Sequence, residues 1–90
     1  MKNRQIIESI IENREEYNLQ IDKYCQDPII QKEIIAEIHK IMLFAETICN
    51  KLHNSWFLTR SKFEKEFSTK YSFNDEILSI IYNDAMTATK

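Results

Sequence analysis

The most regular pattern of apolar positions in the chain falls between Pro28 and Asn54. Apolar residues recur there at alternating spacings of four and three, which places them on one face of a helix. These residues are Ile34, Ile38, Ile41, Ala45, Ile48 and Leu52. At a rise of about 1.5 Å per residue, such a helix is roughly 40 Å long. The pattern therefore predicts a central helix against which the other segments pack.

A second amphipathic pattern covers residues 3 to 25 and ends just before Asp27-Pro28. Its apolar stripe consists of Ile7, Ile10, Tyr17, Ile21 and Tyr24. Aspartate accepts hydrogen bonds from the free N–H groups of a helix start, and proline suits the first helical position. Because the connection is so short, the sequence predicts two long antiparallel helices, in a hairpin that turns at Asp27-Pro28.

A shorter helix is predicted after the long one. It has two start signals, either Thr59 or Ser61 with Glu64 three residues later, and the second matches a capping box. Phe63 and Phe67 are four residues apart, the spacing of two core positions on one helical face. We expect this helix to bury both rings and to continue to residue 70.

The last predicted helix covers roughly residues 73 to 86. Ser72 is a suitable cap, and Asp75 and Glu76 place acidic side chains in the first turn. The residues that it should bury are Phe73, Ile77, Ile80, Ile81 and Ala85. Because no strand pattern is visible, the fold class is all-α. We expect one helical domain over residues 1–90, a small bundle in which the two short helices pack on the hairpin.

Composition excludes several classes of function. The 90 residues include no glycine and one proline, which removes the loops that cradle phosphates or dinucleotides. Fourteen acidic residues stand against twelve basic ones, so no overall field draws the chain to nucleic acid or to an anionic membrane. Neither a signal-peptide core nor a run of eighteen apolar residues is present. We expect a cytoplasmic protein without a membrane partner.

One group of residues has the spacing of metal ligands. Offsets of three and four place Glu46, Cys49 and His53 on one helical face. They could hold zinc with an open position, or Cys49 and His53 could act as a nucleophile and its base. Since the sequence nearby supplies neither a fourth ligand nor an oxyanion hole, we favour a buried cysteine beside two surface polar residues. We therefore predict no metal, no cofactor and no catalytic residue.

The segment from residue 55 to 70 is locally basic and aromatic, with four basic and two acidic side chains and thus a net charge of +2. The basic residues are Arg60, Lys62, Lys65 and Lys70, and they alternate with Trp56, Phe57, Phe63 and Phe67. Such a mixture is typical of nucleic-acid binding. A nucleic-acid-binding regulator that uses this segment is the alternative interpretation of the chain, and the metal or thiol site is the third.

The central helix carries apolar residues outside its main stripe, among them Leu43 and Phe44, and an apolar cluster follows it. An exposed apolar patch of this kind marks a contact surface, and aromatic residues often dominate its binding energy. The predicted partner-binding residues are Leu43, Phe44, Trp56, Phe57, Leu58, Arg60 and Lys62. The sequence thus favours a small non-catalytic regulator, of the inhibitor, immunity or adaptor type, that occludes or titrates another protein. A second copy of the chain, forming a homodimer, is a further candidate partner.

Overall fold

The computed structural model of the chain describes residues 3–13, 17–54 and 60–89. Within these ranges the chain contains five α-helices and no strand, so the all-α prediction is confirmed. The helices are α1 (Arg4–Asn13), α2 (Tyr17–Tyr24), α3 (Pro28–Asn54), α4 (Arg60–Phe67) and α5 (Asp75–Ala88). In the described part of the chain, no helix combines the length and the apolar character that crossing a bilayer requires.

The chain divides into two compact units, Met1–Lys40 and Ile41–Lys90. The N-terminal unit contains α1, α2 and the first half of α3, and α1 contacts α2. The C-terminal unit contains the second half of α3 with α4 and α5, which contact each other. The expectation of a single domain over residues 1–90 stays a prediction.

Helix α3 has the predicted bounds, Pro28 to Asn54, and the six residues of its predicted stripe are all buried. Its start is capped by Asp27, as the sequence predicted. The Asp27 carboxylate accepts a hydrogen bond of 2.9 Å from the backbone N–H of Ile29, and the Asp27 carbonyl accepts one from Gln31. These bonds occupy N–H groups that a helix start otherwise leaves without partners.

Where the sequence predicts one long helix over residues 3 to 25, the structure describes two helices, α1 and α2, and residues 14–16 between them lie outside the described residues. The Asn13 side chain donates a hydrogen bond of 2.9 Å to the hydroxyl of Tyr24. In one straight helix the Cα atoms of these residues would lie about 16 Å apart, too far for the two side chains to meet. The hydrogen bond therefore shows that α1 and α2 are not parts of one straight helix. The N-terminal core consists of Ile7, Ile10, Ile11 and Ile21 together with Ile34 and Ile38 of α3.

The start of α3 is tied to the end of α2 by one glutamine. The Gln31 side chain donates to the Asp22 carboxylate at 2.7 Å and to the Cys25 carbonyl at 2.6 Å. The first turn of α3 therefore lies beside the last residues of α2. Both cysteines of the chain, Cys25 and Cys49, are free thiols.

Helix α4 ends, and helix α5 begins, at another residue than the sequence predicted. Ser61 lies inside the first turn of α4 and is not its cap, while Thr59 lies outside the described residues. Helix α4 ends at Phe67, three residues earlier than predicted, and a turn over residues 68–70 follows it. Phe63 and Phe67 are both fully buried, as expected from their spacing.

The cap of α5 is Asn74, two residues after the predicted Ser72. The Asn74 side-chain oxygen accepts a hydrogen bond of 2.9 Å from the backbone N–H of Ile77, and the Asn74 backbone is extended. The helix buries Ile77, Leu78, Ile81 and Ala85. Two expectations about this helix are corrected: Ile80 and Phe73 are only half-buried, and Phe73 precedes the helix.

Candidate functional site

Leu43 and Phe44 were predicted to contact a partner, and the structure gives these neighbours different surroundings. Leu43 is 64% exposed, whereas Phe44 is half-buried. The other predicted apolar contacts, Trp56, Phe57 and Leu58, lie outside the described residues. Leu43 is thus the member of the predicted patch that the structure leaves accessible.

Phe44 belongs to a cluster of aromatic rings inside the C-terminal unit. Its centroid lies 5.8 Å from that of Phe67 and 5.8 Å from that of Tyr71. The members of this aromatic cluster are Phe44, Phe63, Phe67, Tyr71, Phe73 and Tyr82. Because Phe63 also packs at 5.0 Å on Tyr82 of α5, the cluster joins α3, α4 and α5. Such contacts hold α4 against α3.

A groove lies between α3 and α4 beside this cluster. Its volume is about 360 Å³, and its lining residues are Phe44, Thr47, Ile48, Lys51, Glu66 and Thr69. The Thr47 hydroxyl donates a hydrogen bond of 2.8 Å to the carbonyl of Leu43, one helical turn earlier. Residues four apart on a helix are surface neighbours, so the exposed Leu43 stands at the edge of the groove.

The two charged residues that line the groove form an ion pair, and a further cation lies close to one of the lining rings. The Lys51 ammonium lies 3.1 Å from the Glu66 carboxylate, an ion pair that bridges α3 and α4. The Lys70 ammonium lies 5.2 Å from the centroid of Phe44 and 5.6 Å from that of Tyr71, in cation–π contacts. Among the described residues, Lys70 has no carboxylate within ion-pair distance. The groove edge therefore carries one cation in excess.

Two basic residues were predicted to rim the contact surface. The Arg60 guanidinium contacts the Glu64 carboxylate at 2.7 Å and donates to the backbone carbonyl of Asp75 at 3.3 Å. Arg60 thus links α4 to the start of α5, and it does not line the groove. Lys62 is exposed on α4, one turn before Glu66.

The same segment was the alternative candidate for binding nucleic acid. The rings of Phe63 and Phe67 have no exposed surface, so no base can stack on them. Arg60 and Lys51 are paired with Glu64 and Glu66, which reduces the positive field that phosphates require. Lys62, Lys65 and Lys70 are exposed, and the nucleic-acid alternative stays a prediction.

The predicted ligand cluster contains a deeply buried thiol. Cys49 has no exposed surface, and burial raises the pKa of its thiol, with the Glu46 carboxylate acting in the same direction. Burial also raises the pKa of Tyr82, assisted by Cys49 and opposed by Arg60. A buried thiol with a raised pKa is a poor nucleophile. The side chain of His53, the third member of the predicted cluster, lies outside the described part of the structure. Among the side chains that the structure describes, no group of three or more histidine, cysteine or acidic residues could hold a metal.

Sequence reasoning missed most of the groove. Thr47 and Lys51 are four residues apart on α3, as are Phe44 and Ile48. The face of α3 that lines the groove could therefore be predicted from this spacing. The contributions of Glu66, Thr69 and Lys70 depend on α4 packing against α3, for which the spacing contains no signal.

No protein-family model, curated protein or solved structure matches the chain.

Proposed function

We propose that this chain is a small non-catalytic regulator that binds another protein through Leu43 and the groove beside it, and so occludes or titrates that partner. One observation carries the proposal: Leu43 is 64% exposed and lies one helical turn before Thr47, which lines an open apolar groove. Transfer of a leucine side chain from water to a protein interface contributes roughly 1.5–3 kcal/mol. A partner that covers this edge gains that free energy.

The rest of the C-terminal unit supports this choice of surface. In its described part, Leu43 is the large apolar side chain that is left exposed, while the other isoleucines, leucines and phenylalanines are buried or half-buried. An exposed leucine alone is common on protein surfaces. An exposed leucine close to a groove lined by Phe44 and Ile48 is a more specific feature, because it offers a partner both an apolar side chain and an apolar recess.

Two finer expectations belong to this proposal. We place the chain in the cytoplasm, a compartment whose reducing conditions suit two free thiols. We also propose that α2 and the first turns of α3 form an antiparallel hairpin at Asp27-Pro28. The hydrogen bond between Gln31 and Asp22 supports that reversal, since it joins residues on either side of the turn.

Site-specific photocrosslinking in the native host tests the proposal. A photoreactive phenylalanine analogue replaces Leu43 in one variant and Asn83, an exposed residue of α5, in a matched control. We expect position 43 to capture one protein species that position 83 does not capture. Leu43→Ser should reduce recovery of that species about tenfold or more without changing the thermal midpoint, because a tenfold change is about 1.4 kcal/mol of binding.

The crosslinked product also separates the alternatives. Recovery of the same proteins from both positions would contradict the proposal. A product made only of this chain would indicate a homodimer in place of a regulator with a separate target. Recovery of DNA or RNA, lost steeply as salt is raised, would support the nucleic-acid-binding alternative.

A further inference from the structure

We infer that the partner segment received by the groove is an acidic amphipathic helix, which places an apolar side chain over Phe44 and Ile48 and a carboxylate beside Lys70. This inference rests on the proposed function and names the chemistry of the partner. Helices bind in grooves through apolar residues at intervals of three and four. A peptide that binds as an added β-strand needs a strand edge for its backbone groups, and the described part of the chain contains no strand.

The walls of the groove suit an apolar side chain. The hydroxyls of Thr47 and Thr69 already donate hydrogen bonds inside the chain, to the carbonyls of Leu43 at 2.8 Å and Glu66 at 2.7 Å. An entering methyl group therefore leaves no hydroxyl proton without an acceptor, so the usual cost of burying a polar donor is avoided. The volume of about 360 Å³ lies in the range of protein pockets that hold small ligands.

The excess charge at the groove selects a partner with carboxylates. Lys51 and Glu66 neutralise each other across the groove, whereas Lys70 is held over Phe44 and Tyr71 with its charge unmatched by any described carboxylate. Because Phe44 also lines the groove, the ammonium of Lys70 lies 5.2 Å from the ring of a lining residue. A carboxylate flanking the apolar anchor of the partner completes this site, and a lysine there is repelled.

A second copy of the chain fits the groove less well. Helices α1 and α5 are both acidic and amphipathic, but their apolar faces are already buried within the chain. The buried residues are Ile7, Ile10 and Ile11 of α1 and Ile77, Leu78, Ile81 and Ala85 of α5. Two copies docked groove to groove would also bring their Lys70 ammonium groups together, a repulsive contact. The occupant is therefore a helix of another protein.

Selection from a displayed peptide library tests the inference. The library contains helical peptides of about 16 residues, roughly four turns, with random residues on the face presented to the target. Three variants serve as comparisons: Thr47→Tyr fills the groove, Lys70→Glu reverses the charge at its edge, and Lys65→Glu reverses an exposed lysine that does not line the groove. Circular dichroism confirms that each variant is folded.

We expect the selected peptides to combine apolar residues at intervals of three and four with an excess of Asp and Glu. Their affinity should be lost on Thr47→Tyr, fall about tenfold on Lys70→Glu and change less than about twofold on Lys65→Glu, since a close charge pair contributes more than a distant one. Replacement of the peptide carboxylates by lysines should restore binding to Lys70→Glu.

Peptides that respond to Thr47→Tyr but carry no excess of acidic residues would overturn the inference and leave the proposed function standing. Equal losses on Lys65→Glu and Lys70→Glu would also overturn it, because the charge effect would then be a general field. If no selected peptide responded to Thr47→Tyr, the groove would not be a binding site, and the inference and the proposed function would fall together.

Discussion

The rings of Phe44 and Phe67 lie 5.8 Å apart between centroids, with an angle of 37° between their planes. This contact joins α3 to α4, yet Leu43, the residue before Phe44, is 64% exposed. Successive residues on an α-helix point about 100° apart, since a turn contains 3.6 residues. Phe44 therefore faces the aromatic cluster and Leu43 faces the surface, so the residue that packs in the fold and the proposed contact residue are neighbours in sequence.

Substitution of these two residues should affect stability very differently. Phe44→Ala should lower the free energy of unfolding by about 2–3 kcal/mol, somewhat less than for a fully buried ring, because the contacts with Phe67 and Tyr71 are lost. Leu43→Ala should change it by less than about 0.5 kcal/mol, since an exposed side chain has little packing to lose. Urea unfolding followed by circular dichroism measures both. Equal effects would show that the two side chains do not have these surroundings.

The central helix could be predicted in full because its signal is local and long. The single proline marks its start, Asp27 is the cap, and the buried stripe from Ile34 to Leu52 spans five turns. Over such a length the helical spacing of the apolar residues remains clear even where single positions depart from it. The pairing of Phe63 with Phe67 was predictable for the same reason, since a spacing of four needs no tertiary information.

The sequence analysis did not predict features that depend on packing between segments, or on a choice between two residues that are equally suitable locally. Ser72 and Asn74 are both good caps followed by acidic residues, and only the bond from Ile77 distinguishes them. The division of the first helix into α1 and α2 has no glycine or proline to mark it. The groove arises where Glu66 and Thr69 meet α3, an arrangement produced by the aromatic cluster and not by any one segment.

The cap of α5 gives a second prediction. Asn74→Ala should lower the free energy of unfolding by about 1 kcal/mol, because the N–H of Ile77 loses its acceptor at the helix start. Asn83→Ala is the matched control in the interior of the same helix, and it should be neutral or stabilising by a few tenths of a kcal/mol, since alanine is the better helix former. If the order of the two effects were reversed, Asn74 would not be the cap.

The ion pair across the groove should contribute little to stability. Lys51 and Glu66 keep 68% and 37% of their side-chain surface exposed, so water and salt weaken their attraction. A double-mutant cycle with Lys51→Ala and Glu66→Ala should give a coupling of about 0.2–1 kcal/mol at low salt, and less at about 1 M salt. A coupling that was large and independent of salt would mean that the ion pair is shielded from water, which would contradict the exposure of the two side chains.

The buried thiol of Cys49 should make stability depend on pH in the alkaline range. Its pKa is raised in the folded chain by burial and by Glu46, whereas a thiol in the unfolded chain has a pKa of about 8.5. Below that pH both states hold the proton. Above it the unfolded chain releases the proton while the folded chain keeps it, so the free energy of unfolding falls as pH rises from about 8.5 towards the folded pKa.

Cys49→Ala should remove this part of the slope. The variant should be less stable at pH 7, by about 1 kcal/mol for the lost packing, but its stability should fall less between about pH 8 and 9.5 than that of the unmodified chain. Tyr82, whose pKa is also raised, acts in the same direction mainly at higher pH, because tyrosine titrates near pH 10 in unfolded chains. Urea unfolding at each pH under reducing conditions measures the slope, and Cys25→Ala controls for loss of a thiol at a part-exposed site. Identical slopes for Cys49→Ala and the unmodified chain would mean that the Cys49 thiol is not desolvated in the folded state.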